Sequence, residues 1–267
     1  MSRGPEGRPL AVVLLSGGMD SAVAAAEVSL SHRLACLHAT YGQRTANRER
    51  VCFGALAHHF GAVAKLVVTL THLSAIGGSA LTDPSIPVGD APPGAGGVPP
   101  TYVPFRNAHL LAAAVSWAEV LRASAVVIGA VEEDSSGYPD CRRAFMEAFQ
   151  QSIHLGTRPE THITLLAPVI GMSKAEIVLR GQKLSTPFHL TWSCYRDEGR
   201  ACGTCESCRL RLRGFARAGL PDPLPYAAPD GSPARRQGAS PGQDRRGARE
   251  KKIAALRAFL RRVQDGS

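Results

Sequence analysis

The feature that most constrains this chain is a short apolar run that ends in a turn of small residues. Residues 11–21 read Ala-Val-Val-Leu-Leu-Ser-Gly-Gly-Met-Asp-Ser. A brief apolar run bounded by glycine is typical of a buried strand. Gly17 and Gly18 have no Cβ, so the backbone can approach phosphate oxygens, and a following helix directs its free N–H groups and positive dipole end at the same anion. The segment therefore predicts a strand, a phosphate-binding turn and a helix.

The side chains of the turn favour ATP as the ligand. Ser16 and Ser21 add hydroxyl donors, and Asp20 can hold Mg²⁺ directly or through water. The Gly-Lys-Ser/Thr ending of a Walker A loop and the Gly-X-Gly-X-X-Gly spacing of a dinucleotide site are both missing. An ordinary strand-to-helix turn of small residues is the alternative interpretation.

Strand and helix patterns alternate along the first 190 residues. After the first strand, the predicted strands are Leu34–Ala39, Ala64–Leu70, Ala125–Ile128 and Ile163–Ala167. The predicted helices are Ser21–Ser31, Asn47–Phe60, Asn107–Leu121, Arg142–Leu155 and a helix that begins with a Ser173/Glu176 capping box and runs to about Gln182. This order predicts an α/β fold with a doubly wound, mainly parallel sheet and a ligand site at the carboxyl ends of the strands.

Two segments interrupt this order. Residues 82–100 are rich in proline and glycine, which predicts a mobile surface loop, either a lid over the site or a plain insertion. Residues 227–250 are rich in Pro, Gly, Ser, Ala and Arg and cannot fold alone. In Glu250–Gln264, apolar residues at helical spacing predict a short helix that docks on the core or on a partner, unless the tail is only a solvated extension.

The charge distribution gives little support for nucleic acid as a partner. The formal net charge is +9, but residues 220–267 carry +5 of it and the first 219 residues only +4. No apolar stretch approaches the roughly 20 residues that span a bilayer. The first residues, Met-Ser-Arg-Gly-Pro-Glu-Gly-Arg-Pro, make a poor secretory signal. We therefore expect a cytoplasmic protein that needs neither a membrane nor nucleic acid.

Four of the seven cysteines lie close together in the pattern Cys-X7-Cys-X2-Cys-X2-Cys; they are Cys194, Cys202, Cys205 and Cys208. Four thiolates can surround one Zn²⁺ in a closed, structural site. Disulfides need an oxidising compartment, for which the chain gives no sign, whereas an iron–sulfur cluster is the stronger alternative. Cys36 and Cys52 are interpreted as ordinary buried thiols. The predicted domains are an ATP-binding α/β domain over residues 1–190, a four-cysteine zinc module over 191–223 and a basic tail over 224–267.

The motifs taken together resemble those of one family. The glycine turn, Leu15–Ser21, resembles the loop of the PP-loop ATP pyrophosphatases, and the order of motifs resembles the QueC family of 7-cyano-7-deazaguanine synthases in the queuosine pathway. The other matching segments are Tyr41–Arg44, Tyr102–Asn107, residues 136–142, Met172–Lys174, Thr191–Tyr195 and Cys202–Cys208. The resemblance covers residues 11 to about 223. Phe105 departs from it, since the family usually has glycine there, and this leaves the local backbone and the width of the pocket open.

The resemblance implies an ATP-dependent ligase that converts 7-carboxy-7-deazaguanine and ammonia into 7-cyano-7-deazaguanine (preQ0). The acid is adenylated, ammonia displaces AMP to give an amide, and a second activation of the amide oxygen allows elimination to the nitrile. The resemblance also implies ATP and Mg²⁺ at the loop, one structural Zn²⁺ rather than an iron–sulfur cluster, and a homodimer. The alternatives are a PP-loop tRNA thiolase and a non-catalytic, zinc-containing nucleic-acid-binding protein.

The same resemblance implies roles for individual residues. The residues that hold the ATP phosphates and metal are Leu15, Ser16, Gly17, Gly18, Met19, Asp20 and Ser21. The catalytic, charge-neutralising residues are Asp20, Arg106, Arg142 and Lys174. The deazaguanine contacts are Gln43, Arg44, Tyr138, Asp140 and Arg142. Two alternatives stay open: Asp140 caps the helix near Arg142, and Arg106 pairs with a structural acid.

Overall fold

Five parallel strands form the central sheet in a computed structural model that describes residues 7–90, 97–132 and 137–227. The strands are β1 (Leu10–Leu14), β2 (Arg33–Thr40), β3 (Ala64–Thr69), β4 (Ala125–Val127) and β5 (Thr164–Leu166). Their order in the sheet is β3-β2-β1-β4-β5, and every pairing is parallel. The chain winds outward in opposite directions from β1 and β4, so a crevice opens at the carboxyl ends of these two strands.

Helices follow the strands as the sequence predicts. They are α1 (Met19–Ser29), α2 (Ala46–His59), α3 (His72–Ile76), α4 (Arg106–Leu121), α5 (Arg143–Gly156), α6 (Lys174–Lys183) and α7 (Glu206–Arg217). The predicted elements that fall on described residues are all present, with boundaries that differ by one or two residues. Sequence analysis missed α3, which is a single short turn of helix, and α7, which begins inside the cysteine cluster.

Both faces of the sheet are covered, which confirms the doubly wound α/β fold. Ala11, Val13 and Leu15 pack in one cluster with residues of α1, α2, α6 and α7. Val12 and Leu14 pack in a second cluster with residues of α4 and α5. Successive residues of β1 thus face opposite layers, and all of β1 after its first residue is buried.

The capping box predicted for α6 is present. The Ser173 hydroxyl accepts a hydrogen bond from the Glu176 amide at 3.4 Å, and the Ser173 amide donates to the Glu176 carboxylate at 2.8 Å. These two bonds satisfy amide groups that the helix itself leaves unpaired. The cap therefore fixes the start of α6, where Lys174 is the first helical residue.

The described residues 82–90 of the proline-rich segment are tied to neighbouring elements by hydrogen bonds and an ion pair, and the prediction that this surface loop is mobile stays a prediction. The Arg44 guanidinium donates to the carbonyl groups of Ala80 and Ile86, both at 2.8 Å. Arg196 binds the Asp90 carboxylate at 2.6 Å, and Val88 is buried against the cysteine cluster. Residues 91–96 lie outside the described residues, as does the helix predicted over 250–264. In the part of the chain that is described, no helix is both long and apolar enough to span a bilayer.

Candidate active site

A cleft of about 260 Å³ opens at the carboxyl ends of β1 and β4. Its lining includes the turn after β1 and the residues Gly129 and Ala130 after β4. A Cβ on Gly129 would lie 2.6 Å from the Ser21 Cα, so a larger residue would push the start of α1 away from β4. The sequence prediction for the position of the ligand site is consistent with this cleft.

The glycine turn presents free amide groups to the cleft. Gly17 has a φ of 91°, a conformation that favours glycine, and its carbonyl accepts a hydrogen bond from the Trp192 amide at 2.8 Å. Gly18 is the N-cap of α1, and no side chain caps this helix. Since the first amides of a helix have no partner within it, the N-terminal turn of α1 can bind an anion in the cleft.

The two serines of the turn are also positioned there. Their hydroxyl groups lie 3.0 Å apart, and the Ser21 hydroxyl is 3.0 Å from the Gly18 carbonyl, to which it can donate. The Gly18 amide donates to the Ser16 hydroxyl at 3.2 Å. Leu15, Ser16, Gly18, Met19, Asp20 and Ser21 line the cleft, and Gly17 does not. Six of the seven residues predicted for the phosphate loop therefore line one cleft.

Asp20 and Lys174 meet at the base of this turn. The Lys174 ammonium lies 2.7 Å from Oδ2 of Asp20, and both residues line the cleft. The other oxygen, Oδ1, is buried and has no hydrogen-bond partner. A buried carboxylate oxygen with unused lone pairs beside an anion site suits Mg²⁺, which prefers oxygen ligands. The two predicted catalytic residues thus form one charged group.

Arg106 stands in the cleft without a carboxylate partner. Its Nη1 donates to the Tyr41 hydroxyl at 3.1 Å, and its Cζ lies 5.7 Å and 5.8 Å from the rings of Tyr41 and Tyr138. The four ion pairs of the described residues do not include Arg106, and its Nε is buried without a partner. The alternative that Arg106 pairs with a structural acid is therefore not observed. A buried guanidinium with unused donors is suited to bind an anionic ligand.

The Asp140 carboxylate binds a backbone amide at the start of a helix, but that helix is α4 rather than α5. Its Oδ2 accepts a hydrogen bond from the Asn107 amide at 2.8 Å, which caps α4 rather than α5. The Asn107 side chain returns a hydrogen bond to the Asp140 carbonyl at 3.0 Å. Oδ1 of Asp140 is buried and has no partner. One carboxylate oxygen of Asp140 therefore binds the start of α4, and the residue does not line the cleft.

Four of the five predicted substrate contacts lie outside the lining of the cleft; they are Gln43, Arg44, Asp140 and Arg142. Gln43 is buried, and its side chain accepts from the Tyr41 amide at 2.8 Å and donates to Glu49 at 2.9 Å. The Arg44 guanidinium donates hydrogen bonds to backbone carbonyl groups of the loop that follows Ser79. Arg142 is an exposed N-cap of α5. Of the predicted deazaguanine contacts, Tyr138 alone lines the cleft. Motif matching locates such residues near the site, but only the fold decides which side chains reach it.

Several cleft residues were not predicted. They are Tyr41, Glu49, Asn107, Cys141, Trp192 and Tyr195 among others. Burial raises the pKa of Tyr41 and of Tyr195, and burial likewise raises the pKa of Glu49 and Cys141. Most of these residues lie inside or next to the matching motif segments, and this position in the sequence could have identified them as candidates for the site. Glu49 follows Thr45 by one helical turn, a spacing that allows the hydrogen bond seen between them.

Arg211 joins α7 to the segment beneath the cleft. It is 1% exposed, and it binds the Asp222 carboxylate with both Nε and Nη2 at 2.8 and 3.0 Å. It also donates to the Thr191 hydroxyl at 2.7 Å. Trp192, the next residue, donates to Gly17 in the phosphate loop. The buried Arg211–Asp222 ion pair therefore helps to hold Thr191, and the next residue, Trp192, binds the phosphate turn at Gly17. Nothing in the spacing of Arg211 distinguishes it from the other arginines of the same helix.

The four clustered cysteines converge on one point. Their Sγ atoms all lie within 4.8 Å of one another. The amides of Arg196 and Cys202 donate to the Cys194 sulfur, both at 3.4 Å, and hydrogen bonds from Cys205 and Cys208 hold the pKa of Cys194 well below its usual range. All seven cysteines are among the described residues, and none is in a disulfide. Four sulfurs with amide donors at this spacing fit a tetrahedral metal ion.

Phe105 keeps the backbone conformation that glycine would adopt. Its φ is 57° and its ψ is 23°, in the left-handed region. The ring is 57% exposed, stacks edge-on against Phe145 with ring centroids 5.9 Å apart, and does not line the cleft. The Phe105 ring therefore does not narrow the cleft, and its backbone takes a left-handed conformation that favours glycine.

Comparisons with known proteins agree with the motifs. The family described as "Queuosine biosynthesis protein QueC" matches residues 10–219. A 7-cyano-7-deazaguanine synthase of Chlorobaculum tepidum is 57% identical over 220 residues, which are 81% of this chain and 96% of the relative. Another, of Chlorobium phaeobacteroides, is 53% identical over 217 residues, 81% of this chain and 96% of the relative. A solved NMN synthetase from Francisella tularensis aligns over 80% of this chain and 78% of its own, with 12% identity and a TM-score of 0.43.

The match to the family spans the sheet, the phosphate turn and the cysteine cluster. The relatives of known name are more than half identical to this chain over nearly their whole length. On this evidence the chain belongs to the QueC family of queuosine biosynthesis proteins.

Proposed function

We propose that this chain is an ATP-dependent ligase that converts 7-carboxy-7-deazaguanine and ammonia into 7-cyano-7-deazaguanine. The observation that carries the proposal is the uncapped N-terminus of α1, which opens into one cleft with the Lys174–Asp20 pair and with Arg106, which forms no ion pair within the described residues. Such a cleft can accommodate a polyphosphate at the turn and a carboxylate at Arg106. The names of the close relatives support the same activity.

Adenylation is the chemical reason for two anion sites. A carboxylate resists nucleophiles because it is negatively charged and has no leaving group. Transfer of AMP to one carboxylate oxygen removes the charge and creates a leaving group, with pyrophosphate as the other product. The protein must bring the two anions together and exclude water from the acyl-adenylate. A cationic cleft with backbone donors lowers the cost of this approach.

We assign the phosphates to the turn from Ser16 to Ser21. The amides at the start of α1 and the two serine hydroxyl groups bind phosphate oxygens, and Lys174 neutralises charge that develops on them. Oδ1 of Asp20 is the ligand available for Mg²⁺, which supplies further charge neutralisation when bound. Lys174 also holds Asp20 in place through its 2.7 Å contact.

We assign the deazaguanine acid to the side of the cleft around Arg106. The guanidinium of Arg106 binds the carboxylate and Tyr138 packs against the base, and both residues line the cleft. Asp140 lies outside that lining, and we propose that its Oδ1, which has no hydrogen-bond partner among the described residues, accepts a hydrogen bond from the base. Gln43 and Arg44 act through their neighbours, since Gln43 orients Glu49 and Arg44 holds the loop at Ala80. Arg142 is proposed as an outer contact that reaches the substrate on binding.

We further propose that the four cysteines hold one structural Zn²⁺. With all four ligand positions filled by the chain, the ion has no open position for catalysis. It stabilises the segment that carries Trp192 and the start of α7.

We also propose that the protein is a cytoplasmic homodimer that binds no nucleic acid. This is in keeping with the family resemblance and with the low net charge of the first 219 residues.

Mass spectrometry of one reaction mixture tests the proposed activity. Purified protein with ATP, Mg²⁺, ammonium chloride and 7-carboxy-7-deazaguanine should give AMP, pyrophosphate and the nitrile. Arg106→Leu should abolish product, whereas Arg158→Leu, which changes an arginine outside the cleft, should not. Wild-type protein that gives neither AMP nor amide would contradict the proposal. Tight tRNA binding that weakens steeply with salt would favour the thiolase alternative.

A further inference from the structure

We propose that Glu49 is the residue that binds ammonium in the cleft and accepts its proton. The inference rests on the proposed function and assigns the site of its second substrate. At neutral pH ammonia is mostly protonated, and ammonium has no lone pair with which to attack. A ligase that uses free ammonia therefore needs a negatively charged group that binds the cation and takes one proton beside the acyl carbon.

Glu49 is held for such a role. It lies on the first turn of α2 and lines the cleft. The Thr45 hydroxyl donates to Oε1 of Glu49 at 2.8 Å, and the side-chain amide of Gln43 donates to Oε2 at 2.9 Å. Gln43 is itself fixed by Tyr41 and Ala39. Each carboxylate oxygen accepts one hydrogen bond from the protein, which leaves lone pairs for a ligand with several N–H groups.

The charges around the cleft favour a cation at Glu49. Among the described residues, two carboxylates line the cleft, and Asp20 is already paired with Lys174. Glu49 is paired with no cation within the four ion pairs of the described residues. Arg106 is close enough to act electrostatically on Glu49, together with Tyr41 on the same side. If Arg106 is engaged by the bound substrate, Glu49 is the carboxylate of the cleft that has no cation paired with it among the described residues.

Burial makes Glu49 a stronger base than an exposed glutamate. Desolvation raises its pKa, while hydrogen bonds from Gln43 and Thr45 oppose that rise. A raised pKa brings a general base closer to the pKa of the group that it deprotonates. The hydrogen bonds from Gln43 and Thr45 favour the ionised form of Glu49, which is the form that binds ammonium.

The step balances as follows. One N–H bond of ammonium breaks, and its proton passes to a Glu49 oxygen. The freed lone pair of nitrogen attacks the acyl carbon and forms the C–N bond. The C–O bond to AMP then breaks, with its electron pair on the phosphate oxygen, and a second proton from nitrogen leaves with AMP. The products are the amide and AMP, and Glu49 returns its proton to water.

Glu49→Gln separates this role from adenylation. The acid-dependent exchange of pyrophosphate into ATP, measured without ammonia, reports adenylation alone and should stay within about twofold of wild type. Amide formation from ammonium chloride should fall about 100-fold, the usual size of a lost general base. Hydroxylamine is largely uncharged at neutral pH, so hydroxamate formation should stay within a few-fold of wild type.

Glu119→Gln is the matched control. The Glu119 carboxylate also accepts two hydrogen bonds, from the Arg158 amide and the Thr161 hydroxyl, but it lies outside the cleft. All three activities of this variant should equal those of wild type. Equal loss of exchange, amide and hydroxamate in Glu49→Gln would overturn the inference, as would unchanged amide formation. Absence of exchange in the wild-type protein would instead overturn the proposed function.

Discussion

At the scale of single residues, Phe105 shows how a backbone requirement and a side-chain contact can conflict. Its left-handed φ of 57° favours glycine, whereas its ring packs edge-on against Phe145. The left-handed region costs a residue with a Cβ about 1 kcal/mol. An aromatic pair returns a similar amount. The two effects therefore nearly cancel, which explains why phenylalanine is tolerated at this position.

Comparison of Phe105→Gly with Phe105→Ala isolates the backbone effect, because both variants lose the ring and only alanine keeps the strain. We expect the glycine variant to be more stable by about 1 kcal/mol in urea denaturation. The control is the same pair of substitutions at Leu155, which is exposed on α5. At this helical position the alanine variant should be more stable than the glycine variant. Equal stability of the two Phe105 variants would contradict the argument.

Two arginines of the site illustrate opposite uses of the same side chain. Arg211 is buried in a bidentate ion pair with Asp222, whereas Arg106 has no such partner among the described residues. We expect Arg211→Leu to lower the free energy of unfolding by about 3–5 kcal/mol, because it leaves Asp222 buried and unpaired. Arg106→Leu should lower it by less than about 1 kcal/mol while activity is lost. Urea denaturation and product formation, measured on both variants, check this; similar stability losses would contradict it.

At the scale of elements, the start of α6 links a helix cap to the lysine of the cleft. The Ser173 hydroxyl and the Glu176 carboxylate satisfy each other's backbone amides, and Lys174 follows directly. We expect Ser173→Ala to cost about 1 kcal/mol of stability and to lower activity, because the end of the helix that carries Lys174 frays.

Ser116→Ala is the control for that prediction. Ser116 lies on the surface of α4 and its hydroxyl bonds to the Ala112 carbonyl of the same helix, at 2.9 Å. Its removal should change stability by no more than about 0.5 kcal/mol and leave activity unchanged. Thermal unfolding and initial rates distinguish the variants, and an equal effect of both would argue against a special role for the cap.

At the scale of the whole molecule, the cysteine cluster and the phosphate turn are mechanically connected. Cys194 lies two residues after Trp192, whose amide donates to the Gly17 carbonyl at 2.8 Å. Loss of the metal should therefore loosen the turn as well as the cluster. We expect Cys205→Ser to lose its metal and to bind ATP about tenfold more weakly, because metal binding and local folding are coupled.

Metal content and ATP titration test this coupling on the full chain. Cys36→Ala is the control, since Cys36 is buried in β2, far along the chain from the cluster, and should keep both metal and ATP affinity. A Cys205→Ser protein that lacks metal but binds ATP normally would show that the cluster and the turn are independent.

The alternation of strands and helices, the glycine turn after β1 and the group of four cysteines could all be predicted from the amino-acid sequence. These features are local: apolar runs mark buried strands, Gly17 and Gly18 mark a close approach of backbone, and Cys-X2-Cys spacing marks a metal site. Three features of the site depend on the folded chain: Arg106 lines the cleft without an ion pair among the described residues, Gln43 and Arg44 bind protein groups outside the cleft lining, and Glu49 lines the cleft. The physical reason is that these outcomes depend on contacts between residues far apart in the chain, and no local pattern carries the distance between them.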